Sequence, residues 1–266
     1  VRSRGLGDVY KRQRYSIVFI STADNTVKFI LRNNFHRNLA GGMNTYSGIT
    51  WFSNRGRLEV YWSVVGRAGR SFVAAAGWDG KEAEFIRLIE YKNAPFADVA
   101  LPNEILIRRE SNQHYLYVVL NGNNKVIKQD LFTGDTIWVT DPGVAPYGLT
   151  MAGEKLYVTN WAGRHPLPND RDVAGVPWGA ARVNNSTGGG TREGSVTVIN
   201  PATGSIIKHI LVGLHPNEII SDRSGRYVYV TNSNSDNVSV INTLNDEITE
   251  TISVCLLYTS DAADEE

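Results

Sequence analysis

The chain has 266 residues, of which 42% are apolar, and its 27 basic side chains balance its 27 acidic ones. No run approaches the roughly 20 unbroken apolar residues that a membrane helix needs, so a spanning segment is not expected. The balanced charge argues against a nucleic-acid binder, which needs clustered Lys and Arg, and the single cysteine excludes an internal disulfide framework or a Cys-rich zinc site.

Both ends of the chain carry runs that resemble translated transposon sequencing adapters. Residues 8–13 read Asp-Val-Tyr-Lys-Arg-Gln, which the string GAT GTG TAT AAG AGA CAG encodes. The reverse complement of that string, read one base out of frame, encodes residues 255–260, Cys-Leu-Leu-Tyr-Thr-Ser. Two ends of one natural gene have no reason to be complementary, so we set aside 1–13 and 255–266 and analyse 14–254. The alternative is a basic tail before the protein and an acidic tail after it.

A unit of four short β-type runs recurs along residues 14–254, with a period of roughly 40 to 45 residues. Its clearest copy covers 213–254, where four apolar runs alternate with turns that contain Gly, Asn and Asp. The predicted blades are 14–40 (a remnant of a first copy), 45–98, 101–140, 144–212 and 213–254.

This repeat predicts an all-β fold, a β-propeller of four-stranded antiparallel blades. A blade inside the ring is covered on both faces, which explains why a run such as residues 227–230 does not alternate strictly with polar residues. A β-sandwich would accommodate the strands but not the repeat. The absence of convincing 3.6-residue periodicity argues against α/β classes.

The run Tyr-Val-Thr-Asn occurs at residues 157–160 and again at 229–232, and here the chain resembles the YVTN-repeat, YncE-like propeller family. Residues 158–170, 194–199 and 212–216 further resemble bifunctional proteins that join such a propeller to a C-terminal alkaline-phosphatase-type phosphoesterase domain. The resemblance implies an exported, periplasmic or secreted bacterial protein. It also implies a ring of seven blades, so four to five blades would make this chain a partial propeller. A phosphoesterase domain would lie beyond Val254.

One connection between a second and a third strand, residues 161–193, is far longer than its counterparts. Connections beyond roughly 12 to 15 residues are uncommon and tend to be functional or disordered. Trp and Arg are frequent anchors of binding surfaces, so this loop is a candidate lid or docking surface. A decorative surface loop is the alternative. Its candidate ligand-binding residues are Trp161, Arg164, His165, Asp170, Asp172, Trp178 and Arg182.

A second candidate position lies at the start of the innermost strands. Glu104 and Glu218 each follow a Pro-Asn pair, whereas the intervening blade has Gly148 there, preceded by Tyr147. Carboxylates at the channel mouth could hold a hard cation or a polar ligand, as in related propeller lactonases. The alternative is that both Glu residues are solvated residues of the rim, and that His215, which precedes Pro216, is an ordinary loop residue.

These observations predict a non-catalytic binding or interaction module, with a small molecule or a protein as its partner at the channel rim. Residues 14–254 contain no local catalytic cluster, so we expect no catalytic residue, no cofactor and no metal ligand in this fragment; the parent protein could still act as a phosphoesterase. The rival function is a metal-dependent propeller hydrolase of the lactonase type. A nucleic-acid binder is disfavoured by the balanced charge.

Overall fold

In the computed structural model, the described residues are 16–32, 44–176, 179–183 and 190–254. The adapter-like runs, residues 33–40 of the predicted first blade and Trp178 lie outside them. The chain divides into an N-terminal unit, Val1–Asp141 with Gly175–Ala180, and a C-terminal unit, Pro142–Ala174 with Ala181–Glu266. No helix in the described ranges has the length and hydropathy that crossing a bilayer requires.

The N-terminal unit contains one hairpin and two four-stranded antiparallel sheets. The hairpin pairs β1 (Ser16–Ile20) with β2 (Val27–Arg32). The first sheet has the strands β3 (Asn44–Asn54), β4 (Arg57–Val65), β5 (Ser71–Trp78) and β6 (Ala83–Tyr91). The second sheet has β7 (Pro102–Glu110), β8 (Gln113–Leu120), β9 (Lys125–Asp130) and β10 (Thr136–Thr140).

The two faces of the sheet β3–β6 are both buried, which is why β4 and β5 are apolar without alternation. Ile17 and Leu31 of the hairpin pack with Trp62 and Phe72 on one face. On the other face, Tyr61 and its neighbours pack against β7 and β8 of the second sheet. Face-to-face packing of successive four-stranded sheets is how propeller blades bury their apolar surface.

The C-terminal unit repeats this arrangement. One sheet has the strands β11 (Pro146–Ala152), β12 (Lys155–Asn160), β15 (Gly194–Ile199) and β16 (Ile206–Val212). The next has β17 (Pro216–Ser221), β18 (Tyr227–Asn232), β19 (Asn237–Asn242) and β20 (Glu247–Ser253). Tyr157, Val196 and Val198 pack against Ile219, Val228 and Val230 between the two sheets. The long connection between β12 and β15 contains a short ladder, β13 (Val173–Gly175) with β14 (Ala181–Val183), which the sequence did not predict.

Three of the sheets share one register, as a repeated module requires. Tyr117, Tyr157 and Tyr229 all lie in the second strand of their sheet. Each pairs with the fourth residue after the proline that begins the first strand: Leu106, Thr150 and Ile220 respectively. The prediction of an all-β fold built from four-stranded antiparallel blades is therefore confirmed.

The Tyr-Val-Thr-Asn run has a structural role that explains its recurrence. The buried side-chain amide of Asn160 donates to the hydroxyls of Ser195 and Thr197, both at 3.0 Å, on the third strand. Asn232 makes the same kind of bond to Ser239, at 2.9 Å. A buried amide that satisfies hydroxyls on the neighbouring strand holds that strand pair in a unique register.

Candidate functional site

The first strands of three blades are entered through the same strained backbone step. Leu101, Ala145 and His215 have φ of 53°, 53° and 55°, and each immediately precedes the proline that opens the strand. A left-handed conformation at a residue other than Gly costs roughly 1 kcal/mol or more. In the C-terminal unit this step directs the chain so that Tyr147 and His215 stand at the beginning of adjacent first strands, β11 and β17, which pack together.

Three aromatic rings stack where these two strands begin. The Tyr147 ring lies 4.3 Å from that of Trp161 at an interplanar angle of 19°. The His215 ring lies 4.4 Å from the same Trp161 ring at 23°. All three residues are half-buried. We call Tyr147, Trp161 and His215 the ring stack.

His215 is the member of the ring stack that sequence reasoning missed, since its position favoured an ordinary loop residue. Its Nδ1 lies 3.0 Å from the Ser233 hydroxyl, which itself donates to the His215 carbonyl at 3.1 Å. Burial lowers the pKa of His215, so the neutral ring is favoured. The sequence signal for His215 was its position one residue before the proline that opens a blade. Leu101 and Ala145 occupy the same position in the other blades.

Arg164, three residues after Trp161, is held in place by two carboxylates. It donates to both oxygens of Asp170, from Nη1 at 2.7 Å and from Nη2 at 3.0 Å, and its Nε lies 3.5 Å from a Glu193 carboxylate oxygen. Asp170 also accepts from the Leu167 amide at 2.6 Å. The Arg164 bonds and this amide bond lower the pKa of Asp170 to about 2. A bidentate pair of this kind fixes the guanidinium and orders the turn at 164–170.

The remaining candidates of the long loop are more dispersed. His165 is exposed, and its carbonyl accepts from Arg164 Nη1 at 3.0 Å. Asp172 is exposed, and Arg182 lies half-buried in β14. The structure therefore brings Tyr147 and Trp161 together, and separately ties Arg164 to Asp170. Asp172 and Arg182 take part in neither of these two contacts.

Glu104 and Glu218 occupy equivalent places, two residues after their prolines, in different units. Glu104 is half-buried, and its carboxylate accepts from the Ile105 amide at 3.3 Å. Glu218 is exposed, and its own amide donates to Thr231 Oγ1 at 3.2 Å. Among the described residues, neither belongs to a group of three or more His, Cys, Asp or Glu side chains spaced to hold a metal ion.

Gly148 takes the third copy of this position for a steric reason. A Cβ atom there would lie 2.7 Å from the carbonyl oxygen of Asn217 on the adjacent first strand. Real Cβ atoms do not approach a backbone oxygen so closely, so the two first strands can pack side by side only because Gly148 lacks a side chain. Packing against Asn217 therefore explains the glycine at this position, and the sequence pattern alone does not reveal that contact.

Comparison with known proteins places the fold but not a family. No protein-family model matches the chain, and no curated protein matches it. Among solved structures, a protein from Bacteroides uniformis that carries the assignment 6-phosphogluconolactonase matches with a TM-score of 0.55 at 14% identity, over 90% of this chain and 66% of that one. The Dos1 propeller matches with a TM-score of 0.55 at 11% identity, over 93% of this chain and 55% of that one.

A third match points to the same fold. The β-propeller domain of Cps50 (Swd1) from Myceliophteria thermophila gives a TM-score of 0.53 at 10% identity, over 91% of this chain and 67% of that one. The chain thus spans between 55% and 67% of the length of these three proteins. Their shared architecture, together with the repeated four-stranded sheets, shows that this chain has a β-propeller fold.

Proposed function

We propose that the chain is a non-catalytic β-propeller binding module, and that its ligand docks against the ring stack of the C-terminal unit. The observation that carries this proposal is the pair of stacked contacts that Trp161 makes with Tyr147 and His215, at 4.3 and 4.4 Å. The occupant is a small molecule or a segment of a protein partner that brings apolar or aromatic surface to the rim.

The physical argument is one of preorganisation. Each stacked aromatic pair contributes about 0.5–1.5 kcal/mol beyond its buried area, so the three rings form a stiff surface rather than three mobile side chains. A ligand that contacts this surface loses little side-chain entropy on the protein side. The bidentate pair of Arg164 with Asp170 stiffens the turn that follows Trp161. Tyr, Trp and Arg are the residue types that most often dominate binding energy.

We further propose that the parent is a YncE-like protein exported to the periplasm or secreted, in which a phosphoesterase domain follows the propeller. The repeated Tyr-Val-Thr-Asn run and the resemblance of residues 158–170 to the bifunctional members of that family support this proposal. In that setting the propeller would bind and position, and the second domain would carry the chemistry.

The binding proposal is tested by ¹⁹F NMR on residues 14–254 labelled with 5-fluorotryptophan. The Trp161 resonance is assigned as the one lost in Trp161→Phe, and Trp62, 1% exposed, serves as an internal control. A library of aromatic, carbohydrate and dipeptide fragments is then screened. We expect fragment hits that shift the Trp161 resonance and leave Trp62 unchanged. A screen whose hits all spare Trp161, or that yields none, would refute the ring stack as a binding surface.

The second candidate function is a propeller hydrolase of the lactonase type. It is motivated by Glu104 and Glu218 and by two matching structures, from Bacteroides uniformis and Bacteroides fragilis, that carry the assignment 6-phosphogluconolactonase. Hydrolysis of 6-phosphogluconolactone by residues 14–254 is measured with and without Ca²⁺. We expect only the spontaneous rate. Turnover that Ca²⁺ stimulates and Glu218→Gln abolishes would favour the lactonase instead.

A further inference from the structure

A cleft of about 570 Å³ lies in the N-terminal unit, on the side where the first strand of a blade turns into the second. Its walls come from the β3–β4 turn, the β7–β8 turn and the β9–β10 turn, which bring together Ser53, Asn54, Arg55, Arg109, Asn112, His114 and Phe132. We infer that this cleft binds a small organic phosphate, a phosphate monoester whose organic group is apolar or a ring.

The residues that line the cleft carry positive charge. Two arginines line it, and no Asp or Glu of the described chain is among its lining residues. Arg55 sits at the tip of its turn with φ of 50° and is exposed. Arg109 uses its Nε to donate to the Ser111 carbonyl at 3.1 Å, and its two terminal nitrogens make no hydrogen bond to the described residues. Guanidinium groups pair with phosphate oxygens through two parallel donors each.

Two carboxylates of the surrounding strands, Glu59 and Glu110, lie outside the cleft lining and bond to other groups. Glu59 accepts from Asn54 Nδ2 at 2.7 Å and from the Tyr61 hydroxyl at 2.9 Å. Glu110 pairs with Lys128 Nζ at 2.6 Å and accepts from Tyr117. Glu110 thus pairs with Lys128 and Glu59 bonds to neutral groups, so within the described residues neither carboxylate forms an ion pair with Arg55 or Arg109.

His114 and Phe132 supply the cleft with ring surface. His114 contacts Phe132 edge to face at 5.7 Å between centroids and Phe52 at 5.1 Å. Phe132 itself is 46% exposed. Its backbone is fixed because Asp130 accepts from the amides of Phe132 and Thr133, both at 2.8 Å. A lining that combines two guanidinium groups with an exposed phenyl ring suits an amphipathic anion better than free phosphate, and the volume of the cleft lies in the usual range for small-molecule sites.

Phenyl phosphate is the probe, titrated calorimetrically into the full 266-residue chain at pH 7.5, where a phosphate monoester is mostly dianionic. We expect one saturable site, weaker binding of inorganic phosphate and none of benzyl alcohol. Arg55→Ala and Arg109→Ala should each weaken binding by about tenfold, because each removes a charge-assisted hydrogen-bonding group. Arg223→Ala is the matched control, since Arg223 is exposed in the corresponding β17–β18 turn outside the cleft.

Three outcomes would overturn the proposal. The first is the absence of a saturable signal in protein whose folding is verified by circular dichroism. The second is an equal loss of binding in Arg223→Ala, which would indicate general attraction to cationic surface. The third is heparin binding that both cleft variants weaken while phenyl phosphate binding stays unchanged, which would identify the cationic patch as part of a polyanion surface instead.

Discussion

The hydroxyl of Tyr157 donates a 2.5 Å hydrogen bond to Oδ1 of Asp246, which lies in the β19–β20 turn of the adjacent blade. The other oxygen of the same carboxylate accepts from Lys155 Nζ at 2.6 Å, and Asp246 is 5% exposed. A buried carboxylate is tolerated only when its oxygens are satisfied, so these two bonds fasten one blade of the C-terminal unit to the next.

Tyr157→Phe should therefore destabilise the C-terminal unit. The substitution keeps the ring but removes the donor, so one oxygen of a buried carboxylate loses its partner. We expect the free energy of unfolding to fall by about 2 kcal/mol, as measured by urea titration followed by circular dichroism. A Tyr157→Phe protein as stable as the parent would show that the Asp246 carboxylate finds another donor. The hydrogen bond from Tyr157 would then make no net contribution to stability.

Tyr229→Phe is the matched control for this experiment. Tyr229 occupies the same register in the second strand of its sheet, and its hydroxyl has no hydrogen-bond partner among the described residues. Removing its hydroxyl should change stability by no more than about 0.5 kcal/mol. A comparable loss in both variants would attribute the effect to the strand rather than to Asp246.

Alkaline pH should destabilise both units. Burial raises the pKa of Tyr61, Tyr91, Tyr117 and Tyr157 above the ordinary value of 10.0. The pKa of each of these tyrosines is higher in the folded protein than in the unfolded chain. Their neutral hydroxyls therefore contribute fully to the stability of the fold below pH 10, and this contribution is lost as the pH rises above 10. We expect the absorbance at 295 nm to show these tyrosines ionising only together with the loss of the circular dichroism signal. Ionisation of all tyrosines near pH 10 without unfolding would contradict the buried positions.

The repeat made the fold readable from the sequence, because turn residues and apolar runs recur at a fixed spacing. The place of Tyr117, Tyr157 and Tyr229 in their sheets follows from that spacing alone. The pairing of Trp161 with Tyr147 was only partly predictable, since both residues were candidates on the same rim but their contact depends on the turn between β12 and β13.

The other contacts in the ring stack and in the cleft of the N-terminal unit form between residues of different blades. His215 joins Trp161 from the next blade, and Arg55 joins Arg109 across some 50 residues of sequence. Such pairs carry no local pattern, because they are set by how strands of neighbouring sheets pack. A sequence pattern can also mislead. The equivalent positions 104, 148 and 218 look like one repeated functional position, but packing against Asn217 requires the glycine at 148.

Gly148→Ala should test that close approach. Its new Cβ would lie 2.7 Å from the Asn217 carbonyl oxygen and 3.1 Å from Ile219 Cγ2, so the two first strands must separate. We expect a loss of about 1–3 kcal/mol in the free energy of unfolding. Gly190→Ala is the control, because a Cβ at that position would meet nothing within 4 Å and the substitution should be neutral or slightly stabilising. Equal stability of the two variants would argue against tight packing at Gly148.

The ring stack should report the protonation of His215 through Trp161. Burial lowers the pKa of His215 below its ordinary value of 6.5, so the unfolded chain binds this proton more readily than the folded one. The neutral His215 ring therefore contributes fully to the stability of the fold above pH 6.5, and this contribution is lost as the pH falls through the lowered pKa.

A protonated imidazole 4.4 Å from the indole should also quench the fluorescence of Trp161. We expect the difference in emission between the parent and Trp161→Phe to fall with a midpoint below pH 6.5, and His215→Gln to abolish that transition. A midpoint at or above pH 6.5 would contradict the lowering of the His215 pKa by burial, and a transition that survives His215→Gln would mean that another group quenches Trp161.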